Sequence, residues 1–254
     1  MLRKVLIIIT ILILGYLIFL IFNPKNNQDH PIGILKFDDD TQIVNPKTVD
    51  LSEEGILDWA NWGYGAEEWT DSSQYTHKAE VSPLINLDTI IVTNKLINDN
   101  PAQVYWSEEP TDNKFKWNDW TPTKIVNNLD AGIWIAGVGN GFRISVPANT
   151  KRQYIKLYLG AWEAKGKLTV SLSDNSAPVL TSMYEKAGSD YSNYNVRQYT
   201  LEFLASSDNE ILTIDWIVEE FYDADGWGNI TLRAVTLSNR MWLLNNLHNG
   251  SSQC

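Results

Sequence analysis

The stretch from Gly132 to Ser173 limits what this chain can become more than any other, because it alternates apolar and polar residues with a period of two. Phe142, Ile144 and Val146 alternate with Arg143 and Ser145 until Pro147-Ala148-Asn149 breaks the run. Ile155, Leu157 and Leu159 alternate with Tyr154, Lys156 and Tyr158, and Leu168, Val170 and Leu172 alternate with Lys167, Thr169 and Ser171 after Gly166. Successive side chains of a strand point to opposite faces, so each run predicts a strand with one buried face, as in an antiparallel sandwich.

The flanking sequence repeats the pattern. Val196–Ala205, Glu210–Glu219 and Gly228–Ser238 read as three more strands. Their expected shared faces are Tyr199, Leu201 and Phe203; Leu212, Ile214, Trp216 and Val218; and Thr231, Arg233, Val235 and Leu237. Thr89–Val92 and Val104–Trp106 are shorter β runs, and Ile32–Phe37 reads as a short strand or as a segment packing back on the domain. The polar stretch after Trp106 predicts a loop carrying Trp117 and Trp120, and Tyr184–Asn195 predicts irregular chain. Short strands separated by turn residues point to an all-β domain, a β-sandwich or jelly roll, over residues 50–239. Residues 240–254 are expected as a tail, with Met241, Leu244 and Leu247 on one side of a short helix.

The N-terminus predicts an address. Arg3-Lys4 precedes a run from Val5 to Phe22 that is apolar and uncharged, close to the ~20 residues a helix needs to span the hydrocarbon core. A cleaved signal peptide has a shorter apolar region and a small-residue cleavage site, whereas this run ends in Phe22-Asn23-Pro24-Lys25. Residues 1–22 are therefore read as an uncleaved signal-anchor with Arg3 and Lys4 on the cytoplasmic side. Residues 23–49, with Pro24, Pro31 and Pro46, are read as a polar linker. The expected location is the plasma or inner membrane, single-pass, with the folded part extracytoplasmic and residues 5–22 contacting the bilayer.

Charge excludes one class. The net charge is −11, and no Lys/Arg cluster is present to neutralise phosphates, so no nucleic-acid partner is expected. The single cysteine, Cys254, has no intramolecular disulfide partner.

Three segments, DLSEEGILDWANWG, GIWIAGVGNGFRISVPANT and YIKLYLGAWEAKGKLTVSLSD, together resemble a bacterial jelly-roll module found in secreted and surface proteins, alone or beside glycan-active domains. Its layout is similar to the galactose-binding-like β-sandwich superfamily, and the similarity spans about Asp50 to Ser238. The resemblance implies a sandwich fold and a broad binding class, with no assigned ligand and no catalytic residue. The related form DWAHWG has a histidine where this chain has Asn61, so no imidazole function carries over.

Motifs for chemistry are sparse. The chain has no nucleophile elbow, P-loop, zinc-protease or Cys-x-x-Cys pattern, and it is expected not to be an enzyme. Of its histidines, His30 and His248 fall in the expected linker and tail, and His77 reads as structural or solvated. Asp58, Glu163, Asp215, Glu219 and Glu220 are the carboxylates a glycosidase pair would draw on, though solvated surface charge outranks that reading. No cofactor is expected. Asp223-Ala224-Asp225-Gly226 and Asp174-Asn175 have oxygen chemistry suited to a structural Ca²⁺, but such loops are turns first.

Tryptophan is the outlier, with 11 residues. Flat aromatic rings stack on the apolar faces of sugars while nearby polar groups bond the hydroxyls. Trp117 and Trp120, flanked by Asn118 and Asp119, are expected to form an exposed platform, and Trp227 between Gly226 and Gly228 a second loop aromatic. Trp59, Trp62 and Trp216 are expected in the core. The expectation is a membrane-anchored, non-catalytic binding module, first for carbohydrate. The alternatives are an envelope protein–protein assembly factor and, last, a glycoside hydrolase.

Overall fold

The computed structural model describes residues 32–38, 48–64, 75–78, 82–93, 105–107, 114–119, 125–188 and 196–240. The expected signal-anchor, the C-terminal tail and Trp120 lie outside the described residues, within which no helix is long and apolar enough to cross a membrane.

The described chain is all-β apart from one helical turn, α1 (Leu51–Glu54), capped by the Asp50 carboxylate. One sheet runs β1 (Ile34–Phe37), β14 (Val196–Leu204), β11 (Gln153–Trp162), β16 (Asn229–Ser238), β3 (Asp58–Trp62) and β4 (Tyr75–His77). It is extended by β9 (Gly132–Ala136), which pairs with β16, and by β6 (Tyr105–Ser107), which pairs with β9. The opposing sheet runs β13 (Leu180–Lys186), β12 (Ala164–Leu172), β15 (Glu210–Phe221), β10 (Gly141–Ala148) and β5 (Asn86–Ile91). The apolar sides of the two sheets meet in one core, where Ile155, Leu157 and Leu159 face Ile144, Leu168 and Ile214. This is the sandwich the period-two runs predict.

A third sheet covers the far side of the first. It contains β2 (Thr48–Asp50), β7 (Lys114–Trp117) and β8 (Val126–Leu129), with β2 and β7 parallel. Val49, Leu51, Phe115, Trp117 and Val126 form a second core with Trp59, Tyr158, Val196 and Ala234. With this cap, β11 and β16 are buried on both faces instead of one. The polar residues on the covered face must then find partners inside the protein. Tyr158 donates its hydroxyl to Glu54 Oε2 at 2.6 Å, and Lys156 Nζ bonds Glu54 Oε1 at 2.8 Å.

Four sequence expectations change. The segment read as a loop after Trp106 contains β7, whose Phe115 and Trp117 point into the second core while Lys114 and Lys116 pair with Asp130 and Asp50. Residues 184–186, read as irregular, close β13. On β16, Thr231 and Arg233 do not share a face with Val235 and Leu237: the core-facing residues are Ile230 and Leu232, then Val235 and Leu237. The register on β11 steps from Tyr158↔Ala234 to Leu159↔Leu232, which leaves Arg233 as the extra residue of a bulge. One extra residue flips every side chain beyond it. Part of the expected linker is structured too, since Ile34–Phe37 pairs with β14 and Thr48–Asp50 with β7.

Candidate functional site

The DWANWG segment is a set of structural anchors. Asp58, fully buried, accepts the backbone N–H groups of Trp59 (2.8 Å), Leu84 (2.7 Å) and Ile85 (3.0 Å). Burial pushes its carboxyl above the ordinary range, and these three bonds partly offset that rise. Asn61 donates its side-chain amide to the carbonyl of Arg233 at 3.0 Å. That carbonyl lies at the bulge, between the part of β16 paired with β9 and the part paired with β3. Asn61 thus supplies a hydrogen bond at the junction, a task for which no imidazole is needed. Trp59 and Trp62 are 0% and 1% exposed and belong to the two cores, as expected.

The predicted platform of Trp117, Asn118 and Asp119 is corrected by this packing. Trp117 is 1% exposed, with its ring 5.1 Å from that of Trp59 and edge-on to Tyr64 at 5.4 Å. A ring enclosed on these sides has no face to offer a sugar. Asp119 is a hub: its Oδ1 accepts from Trp59 Nε1 at 2.8 Å and from the Ser52 hydroxyl, and its Oδ2 from Lys78 Nζ at 2.5 Å. Burial raises its carboxyl, but the bonds from Lys78, Ser52 and Trp59 outweigh that and hold it below the usual range. Asn118 is exposed, and its backbone N–H bonds Ser52 Oγ at 3.0 Å. These residues fasten the cap to the sandwich.

Trp227 is placed differently. It lies in the turn from β15 to β16, at the end of the sandwich where β11 also turns into β12, and it is 40% exposed. Asp223 holds the turn, accepting the backbone N–H of Trp227 at 2.6 Å and of Gly228 at 2.8 Å. Gly226 has φ +73°, and a Cβ at Gly228 would lie 2.4 Å from the Glu163 carbonyl, so both positions require glycine. Asn229 bonds the Trp227 carbonyl at 3.1 Å, and the Tyr222 backbone N–H bonds Glu163 O at 2.8 Å. At the same end of the sandwich, Tyr222 and Val138 are each 37% exposed. Trp162, half-buried at the end of β11, is in register with Asn229. This pole presents aromatic surface on a turn fixed at both ends.

Both loops weighed for calcium use their leading carboxylate to organise the backbone. Asp223 does so as described, and Asp174 accepts backbone and hydroxyl bonds from Ser176 and Ser206. Burial raises the Asp174 carboxyl, but those bonds bring it down to about 2. Among the described residues, no group of three or more His, Cys, Asp or Glu side chains is placed to hold a metal ion.

The glycosidase candidates are scattered. Asp58 is an interior anchor, and Asp215 makes a two-bond pair with Arg143, both at 2.7 Å, on the outer side of its sheet. Glu219 lies 3.9 Å from Lys167, Glu220 is in register with Lys165, and Glu163 sits in the β11–β12 turn at φ 44°. His77 is half-buried, with Nδ1 on the Lys78 carbonyl at 2.8 Å, and the other histidines lie outside the described residues.

No family model and no curated protein matches the chain. Among solved structures it is similar to the carbohydrate-binding module TmCBM61 in complex with beta-1,4-galactotriose, at 10% identity over 54% of this chain and 82% of that one, TM-score 0.34. It is also similar to the CBM22-1 xylan-binding domain from Paenibacillus barcinonensis, at 10% identity over 62% of this chain and 96% of that one, TM-score 0.31. A third likeness, to an arabinose-bound α-L-arabinofuranosidase, has 15% identity, covers 81% of this chain and 32% of that one, and has a TM-score of 0.35. At these values the likenesses carry no argument about ligand or activity.

Proposed function

We propose that this chain is a membrane-anchored, extracytoplasmic jelly-roll module that binds carbohydrate without catalysis, with Trp227 as its stacking surface. The observation that carries the reading is the exposed Trp227 indole on a turn fixed by Asp223, with a second exposed aromatic, Tyr222, at the start of the same turn. An indole presents a flat apolar face, and a turn already ordered before binding loses little entropy when a ligand stacks on it. The domain begins at Gly33, packed against Ser176 and Leu204 at the opposite pole, so the Trp227 turn is clear of the point where the chain enters.

Wild-type protein and a Trp227→Ala variant on a glycan array test this. The reading expects glycans that bind wild type and are lost in the variant, with the circular dichroism spectrum unchanged. A wild-type protein that binds no glycan, or a variant that keeps all its binding, contradicts it. Protease shaving of intact spheroplasts tests the topology: digestion of the domain is expected, and full protection contradicts the anchor reading.

A further inference from the structure

The residues around Trp227 carry charge as well as aromatic surface. Asp223 and the exposed Asp225 lie in the turn itself, and the backbone carbonyl of Glu163 lies against it. Tyr222 has Glu185 as the acceptor of its hydroxyl and Glu220 beside it. Burial, then these two carboxylates, push the Tyr222 hydroxyl up to about 12. Carboxylates outnumber the bases nearby: Lys165 lies in register between Glu185 and Glu220, Lys167 lies 3.9 Å from Glu219, and Lys186 lies in register with Ala164, next to the Glu163 turn. The turn from Tyr222 to Gly228 contains no Lys or Arg, and the whole chain carries a net charge of −11.

We propose that the Trp227 pole prefers an amino-bearing sugar chain, a glucosamine-type polymer with free ammonium groups, to a neutral chain and rejects uronic-acid chains. The inference rests on the carbohydrate-binding reading and specifies its ligand class. A sugar stacked on the indole would carry its substituents into the field of Asp225, two residues away, and of Glu185 and Glu220, the carboxylates beside Tyr222. An ammonium there gains Coulomb attraction and a cation–π contact with either ring, whereas a uronate meets like charge.

Titration calorimetry of the full chain at low ionic strength and mildly acidic pH tests this, using three oligosaccharides of equal length. These are a β-1,4-glucosamine oligomer, its N-acetylated neutral form, and a uronic-acid oligomer. The glucosamine oligomer is expected to bind ~tenfold more tightly than the acetylated form, with the advantage fading in salt. The uronic-acid oligomer is expected not to bind. Asp225→Asn with Glu220→Gln, both at exposed positions, should remove the tenfold preference and leave the acetylated form's affinity unchanged. Trp227→Ala should remove both. Equal affinity for the two aminosugar forms, still lost in Trp227→Ala, overturns the charge preference alone and leaves the carbohydrate reading standing. An oligolysine peptide binding as tightly as the glucosamine oligomer also overturns it, because charge without sugar recognition would then suffice. Failure of all three sugars on a wild-type protein that binds another glycan on the array overturns the aminosugar preference alone, and failure on the array as well overturns both.

Discussion

Trp117 and Trp227 look alike in the sequence and differ entirely in the fold. Each sits among Asp, Asn, Gly or Lys in a stretch without long apolar runs. Trp117 ends β7 and is enclosed by Trp59 and Tyr64, whereas Trp227 stands 40% exposed on a turn. What separates them is the partner strand. β7 lies parallel to β2, across a long separation in sequence, and the charges of Lys114 and Lys116 are met by Asp130 and Asp50. Trp227 is flanked by glycines that hold a turn, Gly226 at φ +73° and Gly228 against the Glu163 carbonyl, before β16 begins at Asn229. Of these two tryptophans in polar sequence, the one on a strand is buried and the one on a turn is exposed.

The largest expected effect that can break this contrast is a pair of truncations. Trp117→Ala should cost about 3–5 kcal/mol, since it empties a fully enclosed site, while Trp227→Ala should stay within about 0.5 kcal/mol. Urea unfolding of both variants checks it, and equal losses would erase the distinction between cap and pole.

The two turn-holding carboxylates sharpen the contrast on a smaller scale. Asp58→Asn should cost about 1–3 kcal/mol, because a buried acceptor of three N–H groups loses charge and one oxygen. Asp223→Asn, in a turn open to solvent, should cost less. Thermal unfolding in which Asp223→Asn proves the more damaging would contradict the assignment of Asp58 as an interior anchor.

Smaller still is a pH effect at the pole where the chain enters. The Asp174 carboxyl is lowered from 3.8 to about 2, so its contribution is fully present above about pH 4 and is lost as pH falls through about 2. The melting-temperature gap between wild type and Asp174→Asn should therefore be constant at neutral pH and close across that window. A gap that widens on acidification would refute the role given to Ser176 and Ser206.

Much of this was legible in advance, for local reasons. The alternation in 155–159 and 168–172 reports the sandwich face directly, and Trp216 falls on the core register of its strand, as its neighbours Ile214 and Val218 indicate. Ile34–Phe37 is the short strand its composition suggests. On β16 the core face was legible at Val235 and Leu237 but not before the bulge, where Ile230 and Leu232 stand in for Thr231 and Arg233, because the bulge at Arg233 is defined by partners on β11, β3 and β9. The cap was hidden for the same reason: three short strands and one helical turn gain their stability only by packing on Tyr158 and Ala234. The exposure of Trp227 was readable from its glycines. Asp119 stood out beside Trp117 and Trp120, but its ties to Ser52, Trp59 and Lys78 depend on the tertiary fold.

The most direct test of the division between cap and pole follows the tryptophan indole N–H signals by NMR while the tightest-binding glycan from the array is titrated in. The account predicts that the Trp227 signal shifts and saturates while those of Trp59 and Trp117 stay in place. Movement of Trp59 and Trp117 with Trp227 unchanged would put the ligand under the cap and contradict it.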